Sequence, residues 1–114
     1  APVVAVEDFL AAREQAAALF CHPSLKEAMA DLVRETRTHK GVALGASPRA
    51  ALHLLQASRA LALVRGRDYV VDEDLLSAAV PVLAHRLKLR DPRSRPEVLV
   101  RELALERLRL IPRA

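Results

Sequence analysis

"LGASPRAALHLLQASRALALVRG", residues 44–66, decides the fold. Ser47 is a good helix N-cap, and Pro48 suits the first helical position, where its missing N–H is no loss. Gly66 is a natural stop, because a left-handed residue commonly follows the last helical turn. Between these signals, Ala50, Ala51, Leu52, Leu54, Leu55, Leu61, Ala62, Leu63 and Val64 leave almost no polar face. The spacing therefore predicts a helix over 48–65 that is central, with others packed around it. Leu54, Leu55 and Leu61 are expected in the core, together with Leu83 further on. Arg49 is the exception to an otherwise consistent start. It falls in the first turn, beside the positive end of the helix dipole, where acids are preferred. An anion held jointly by the guanidinium and the helix end would account for it.

Four more helical segments flank the central one. The first covers 6–20, with Val6, Phe9, Leu10, Ala16, Ala17 and Phe20 on one face. The second starts at "HPSLKEAM", where Ser24 and Glu27 read as a capping box. Leu25, Ala28, Met29, Leu32, Val33 and Thr36 keep its 3.6-residue period to about His39, before Lys40-Gly41. After "RGRDYVV" the period resumes at about Asp72 through Leu75, Leu76, Ala79, Val80, Leu83 and Leu87. Pro81 should kink or divide that helix. Residues 91–96 are a linker and 97–110 a last helix. Val42-Ala43-Leu44 and Asp68-Tyr69-Val70-Val71, one at each end of the central helix, have strand character and could pair with each other. The expected fold is all-α: a small bundle of about five helices around an apolar central one, with a minimal two-stranded β piece.

Composition agrees with this reading. The 114 residues suffice for one domain with a real core, 52% are hydrophobic, and the only aromatics are Phe9, Phe20 and Tyr69. Such a core must be built of Leu, Ala and Val. No run approaches a membrane span, and nothing at the start reads as a signal peptide. The lone Cys21 cannot form an internal disulfide, which fits a cytoplasmic protein. The net charge of +4 is unevenly placed: residues 1–85 carry nine Lys/Arg against ten Asp/Glu, and residues 86–114 nine against four. The basic character belongs to the tail, which lacks the interleaved aromatics of a base-stacking surface.

Catalytic patterns are missing. The only glycines are Gly41, Gly45 and Gly66, so no GxxxxGK[ST] loop exists. Cys21-His22 has no companions to complete a metal site, His53 reads as a packed helix residue, and His85-Arg86 as structural. Asp72, Glu73 and Asp74 are explained by capping and the dipole. No nucleophile sits beside a base, so this chain alone should be no enzyme.

Residues 32–89 resemble the C-terminal lid of MoxR-family AAA+ ATPases. The pieces that carry the resemblance are "TRTH", "LGASPRA", the spaced Ala/Leu pattern of 51–62, "RGRDYV", "EDL" and "PVLAHR", in the family's order and near its spacing. The segments 1–31 and 90–114 are similar to the flanking lid helices more loosely, and the lid core is expected within 1–90. One departure is Val71-Asp72 where the family usually has a Thr-Pro or similar pair; a shift of one residue in the helix start is expected.

The resemblance implies roles that periodicity does not. Arg49 would be sensor 2, the arginine that reaches the phosphates of ATP bound by a neighbouring large domain, with Gly45, Ala46, Ser47 and Pro48 forming the turn that aims it. ATP and Mg2+ would belong to a full-length parent, and the isolated chain should hold neither. Since Walker A, Walker B, sensor 1 and an arginine finger are all missing, the chain is expected to be a domain of a longer protein, ending near that protein's C-terminus. Its partners would be its own large domain, adjacent subunits of a ring, and a client protein with a metal-binding or von Willebrand factor A domain; alone it should be a monomer. The competing reading is a histone-like or helix-turn-helix nucleic-acid-binding module, for which the order of elements and the basic pI speak. Against it, the cations cluster in the tail and the central helix is too apolar to read DNA.

Overall fold

Five helices form in the expected order: α1 (Val6–Ala18), α2 (Pro23–Thr38), α3 (Arg49–Val64), α4 (Asp72–Leu83) and α5 (Pro96–Arg109). They are seen in a computed structural model that describes residues 6–112, the side chains of Val6 and Phe9 excepted. A short strand β1 (Val42–Leu44) precedes α3, and a 3-10 turn (Ala84–Arg86) leads from α4 into β2 (Lys88–Leu89).

α3 is central, as predicted, and packs most extensively on α4, then on α1 and α2. It is not buried all round. Its buried row is Ala50, Leu54, Ser58 and Ala62, four residues on one line along the axis. Ala78 and Ala79 of α4 are also buried, and small side chains on both helices suit a close approach. Leu55 and Leu61 are only half-buried, whereas Leu52 and Val64 are 52% and 83% exposed. Leu54 and Leu83 are fully buried, as expected.

α2 buries all six residues of its predicted face. Its start differs from the sequence reading. The N-cap is His22, whose Nδ1 accepts the Ser24 N–H at 3.0 Å, so Ser24 lies inside the helix and the Ser24–Glu27 box does not form. α1 departs further: Leu10, Ala17 and Phe20 of its predicted face are exposed and Ala16 is half-buried, while Val6 and Phe9 lie outside the described side chains. With one helix to lean on, α3, it has little apolar surface to cover.

The two stretches with strand character do not pair with each other. β1 pairs antiparallel with β2, Val42 opposite Leu89 and Leu44 opposite Lys88, with an irregularity between. Tyr69 instead makes a single parallel bridge with Phe20. The reason lies at Gly66, with φ of +79°. Its N–H donates to the Leu63 carbonyl and the Arg67 N–H to the Ala62 carbonyl, a Schellman motif that ends α3 and turns the chain back toward the α1–α2 junction.

α4 starts at Asp72, but its N-cap is Val71 rather than Asp72. Pro81 does not divide it. The proline and Ser77, whose carbonyl loses its usual donor, both lie on the exposed face, so water can replace the lost bond. α5 begins one residue earlier than predicted, with Pro96 at its first position.

Candidate functional site

Arg49 stands at the first position of α3, exposed, just after a segment that α2 holds from behind. The clamp is Thr36, a residue the sequence places merely on an apolar face. Its buried hydroxyl donates to the Val33 carbonyl at 2.6 Å and accepts the Ala46 N–H at 3.1 Å. Ala46 itself is 1% exposed. Gly45 lies against the same helix so closely that a Cβ there would meet the Thr36 carbonyl oxygen at 2.5 Å and the Arg37 Cα at 2.7 Å. Glycine is required by this approach, since its φ is not positive. Gly45 and Ala46 are thus held against α2 just before α3 starts at Arg49.

Ser47 differs from expectation. It makes no side-chain cap; its carbonyl accepts the Ala50 N–H at 2.9 Å, and the N-cap position falls on Pro48. The start of α3 therefore keeps its positive end uncapped by any side chain and has no acid in its first turn. Among the described residues the Arg49 side chain enters no ion pair or hydrogen bond. A cation, an uncapped helix N-terminus and a rigid turn together make a place for an anion such as a phosphate. Arg37, also exposed, has its backbone N and Cα against Gly45, a juxtaposition that helix periodicity could not reveal.

The opposite end of α3 carries a buried carboxylate between two arginines. Asp74 is completely buried. One oxygen accepts from Arg65 at 2.9 Å and from Arg67, and the other accepts the Val71 N–H at 2.9 Å. Burial alone would raise its pKa; the bonds from Arg67, the Val71 N–H and Arg65 outweigh that and hold the carboxyl below its ordinary value. Asp74 is thus a staple between the end of α3 and the start of α4, where the sequence reading saw only a capping acid.

The remaining singled-out residues gather into no site. Cys21 is a buried free thiol whose pKa burial pushes up. His53 is half-buried in α3, His85 is exposed, and Arg86 donates to the Val82 carbonyl at 2.8 Å. Among the described residues no three His, Cys, Asp or Glu side chains are placed to hold a metal ion, and no helix is long and apolar enough to cross a membrane.

Comparison with known proteins agrees with this geometry. The AAA lid domain family matches residues 34–104. The uncharacterized protein YeaC of Bacillus subtilis is 36% identical over 106 residues, a match covering 90% of this chain and 33% of YeaC. Chaperone MoxR1 of Mycobacterium tuberculosis is 41% identical over 96 residues, covering 76% of this chain and 26% of MoxR1. A crystal structure from Cytophaga hutchinsonii, of a protein provisionally named an ATPase, superposes with a TM-score of 0.80 at 27% identity, over 89% of this chain and 34% of that one. The chain thus spans about a third or less of the length of these relatives. The order of helices, the clamped turn before α3 and these matches lead to one statement: the chain belongs to the AAA lid domain family, and within it to the lids of the MoxR type.

Proposed function

We propose that this lid serves a MoxR-type AAA+ ATPase, with Arg49 as its sensor 2 residue. The observation that carries the reading is an exposed arginine, free of acid partners among the described residues, at the uncapped start of a helix on a turn locked to its neighbour. When bound by the parent's large domain, ATP with Mg2+ supplies the polyanion. The guanidinium of Arg49 and the first N–H groups of α3 then hold the γ-phosphate at the domain boundary. Loss of that phosphate releases Arg49, and the lid rotates relative to the large domain. In a ring of such subunits the rotation passes to the neighbour. The relative named Chaperone MoxR1 supports a chaperone role for the parent, maturing clients that carry metal-binding or von Willebrand factor A domains.

The test is Arg49→Ala in the full-length protein. Hydrogen bonds to charged groups contribute roughly 1.5–3 kcal/mol, so ATP turnover should fall by about 10- to 150-fold. Lysine should rescue only in part, keeping the charge but losing the planar fork. Stability of the lid should stay within about 0.5 kcal/mol, because an exposed first-turn cation contributes little to packing. Turnover within twofold of wild type would remove the sensor role, and a large stability loss would make Arg49 a structural residue.

A further inference from the structure

Phe20 and Tyr69 meet in one parallel bridge, in which the Phe20 N–H donates to the Asp68 carbonyl at 3.4 Å and the Val70 N–H donates to the Phe20 carbonyl at 2.9 Å. Both backbone groups of Phe20 are used, and residues 68 and 70 supply their partners. By the alternation of a strand, the N–H and C=O of Tyr69 face the other way. Among the described residues neither has a hydrogen-bond partner. Tyr69 therefore presents an open strand edge.

The side chains around that edge are unusual for this molecule. Phe20 is 60% exposed and Tyr69 49%, though they are two of the chain's three aromatics. They open on a groove of about 790 Å³ that Val70 and Ile111 also line. Its charge runs against that of the chain: Glu73 lines it and, among the described residues, no lysine or arginine does, on a chain of net +4.

The geometry points to a docking groove for an extended peptide segment that alternates apolar residues with arginine or lysine and adds to Tyr69 as a strand. The backbone of Tyr69 gives register, Phe20 and Tyr69 take the apolar side chains, and Glu73 receives the cations. The surface lies at the opposite end of α3 from Arg49, so it is not part of the nucleotide reading above.

The experiment uses the whole 114-residue chain and a short, fluorescein-labelled, acetylated peptide alternating valine and arginine. Its controls are a valine–glutamate peptide and a valine–arginine peptide N-methylated on the residues that would face Tyr69. Fluorescence anisotropy should show saturable binding of the first, with both controls weaker by roughly tenfold or more, the effect of losing one or two hydrogen bonds or ion contacts. Phe20→Ala and Glu73→Gln, both at exposed positions and checked for retained helical circular dichroism, should each weaken it by about fivefold or more. The Tyr69 amide proton should exchange more slowly when the peptide is bound. Equal affinity for all three peptides, no saturation by millimolar chain, or an unchanged Tyr69 amide would overturn the assignment. So would a concentration-dependent dimer abolished by Phe20→Ala, which would give the groove to a second copy of the chain.

Discussion

Adding one methyl group at Gly45 places it against three backbone atoms of α2 at 2.5–2.8 Å. Backbone cannot rotate away as a side chain can, so Gly45→Ala must push the turn off its seat on Thr36. Overpacking of this kind costs about 1–3 kcal/mol, and urea denaturation should show a lower midpoint for the variant. An unchanged midpoint would mean that the turn is looser than the Thr36 clamp implies. Asp74 supplies the pH dependence. Its folded pKa lies below the unfolded value of about 3.9, so its contribution is complete above that value and is lost as the pH falls through the folded pKa. Asp74→Asn should therefore destabilise at pH 7 by about 3 kcal/mol, the low end for a broken buried pair, since Arg65 and Arg67 are partly exposed and can rehydrate. The gap between variant and parent should close in strong acid; a gap constant from pH 7 to pH 2 would exclude the ionised carboxylate as its source. The role of Asp74 could not be read from helix period, because its partners lie seven and nine residues upstream and only the Gly66 turn brings them back. The place of Arg49 in the first turn of α3 was readable from the Ser-Pro signal. The missing Ser47 cap was not, because the carbonyl rather than the hydroxyl of Ser47 accepts the Ala50 N–H.

α3 offers a contrast within one helix. Leu54 is fully buried, so Leu54→Ala should cost about 2–5 kcal/mol, and Leu55→Ala distinctly less, since Leu55 is half-buried. Ser58 sits in the same buried row with a hydroxyl that has no partner. Ser58→Ala should therefore be neutral or raise stability by about 1 kcal/mol, by removing an unsatisfied group and improving helix propensity. A destabilised Ser58→Ala, measured in the same urea series, would mean that the hydroxyl is bonded. Helices were legible in the sequence wherever a strong period met a strong stop, as in α2 and at Gly66. What failed had weaker local signals. Strands of two or three residues have too few positions for alternation to set a register, so β1 found β2 rather than residues 68–71. Alanine-rich α1 offers an apolar face by composition, yet alanines cover so little area that exposing them costs little. His22 outcompeted Ser24 as a cap because Pro23 fixed the first helical position between them.

The whole molecule measures 45 × 41 × 21 Å, about two helix diameters thick. The phosphate site proposed at Arg49 is a surface feature with one half of its walls, so the isolated chain should show no saturable ATP binding below millimolar by isothermal titration. One arginine and one helix end cannot offset the cost of association and of stripping water from a triphosphate. Micromolar binding would require a second set of phosphate ligands within these residues and would count against the lid reading. α3 crosses this slab with both ends fastened, by Thr36 through Ala46 at the start and by Asp74 with the Schellman turn at the finish. A rod fixed so cannot absorb a pull by fraying. Its sixteen residues make a lever about 24 Å long. A tilt of about 10° pivoting at Arg49 would sweep the Gly66 end through roughly 4 Å, close to one strand spacing. Were the lid to tilt as proposed, the stroke would be longest near Tyr69, three residues past the lever's far end, where a change of that size would separate a strand in register from a strand let go.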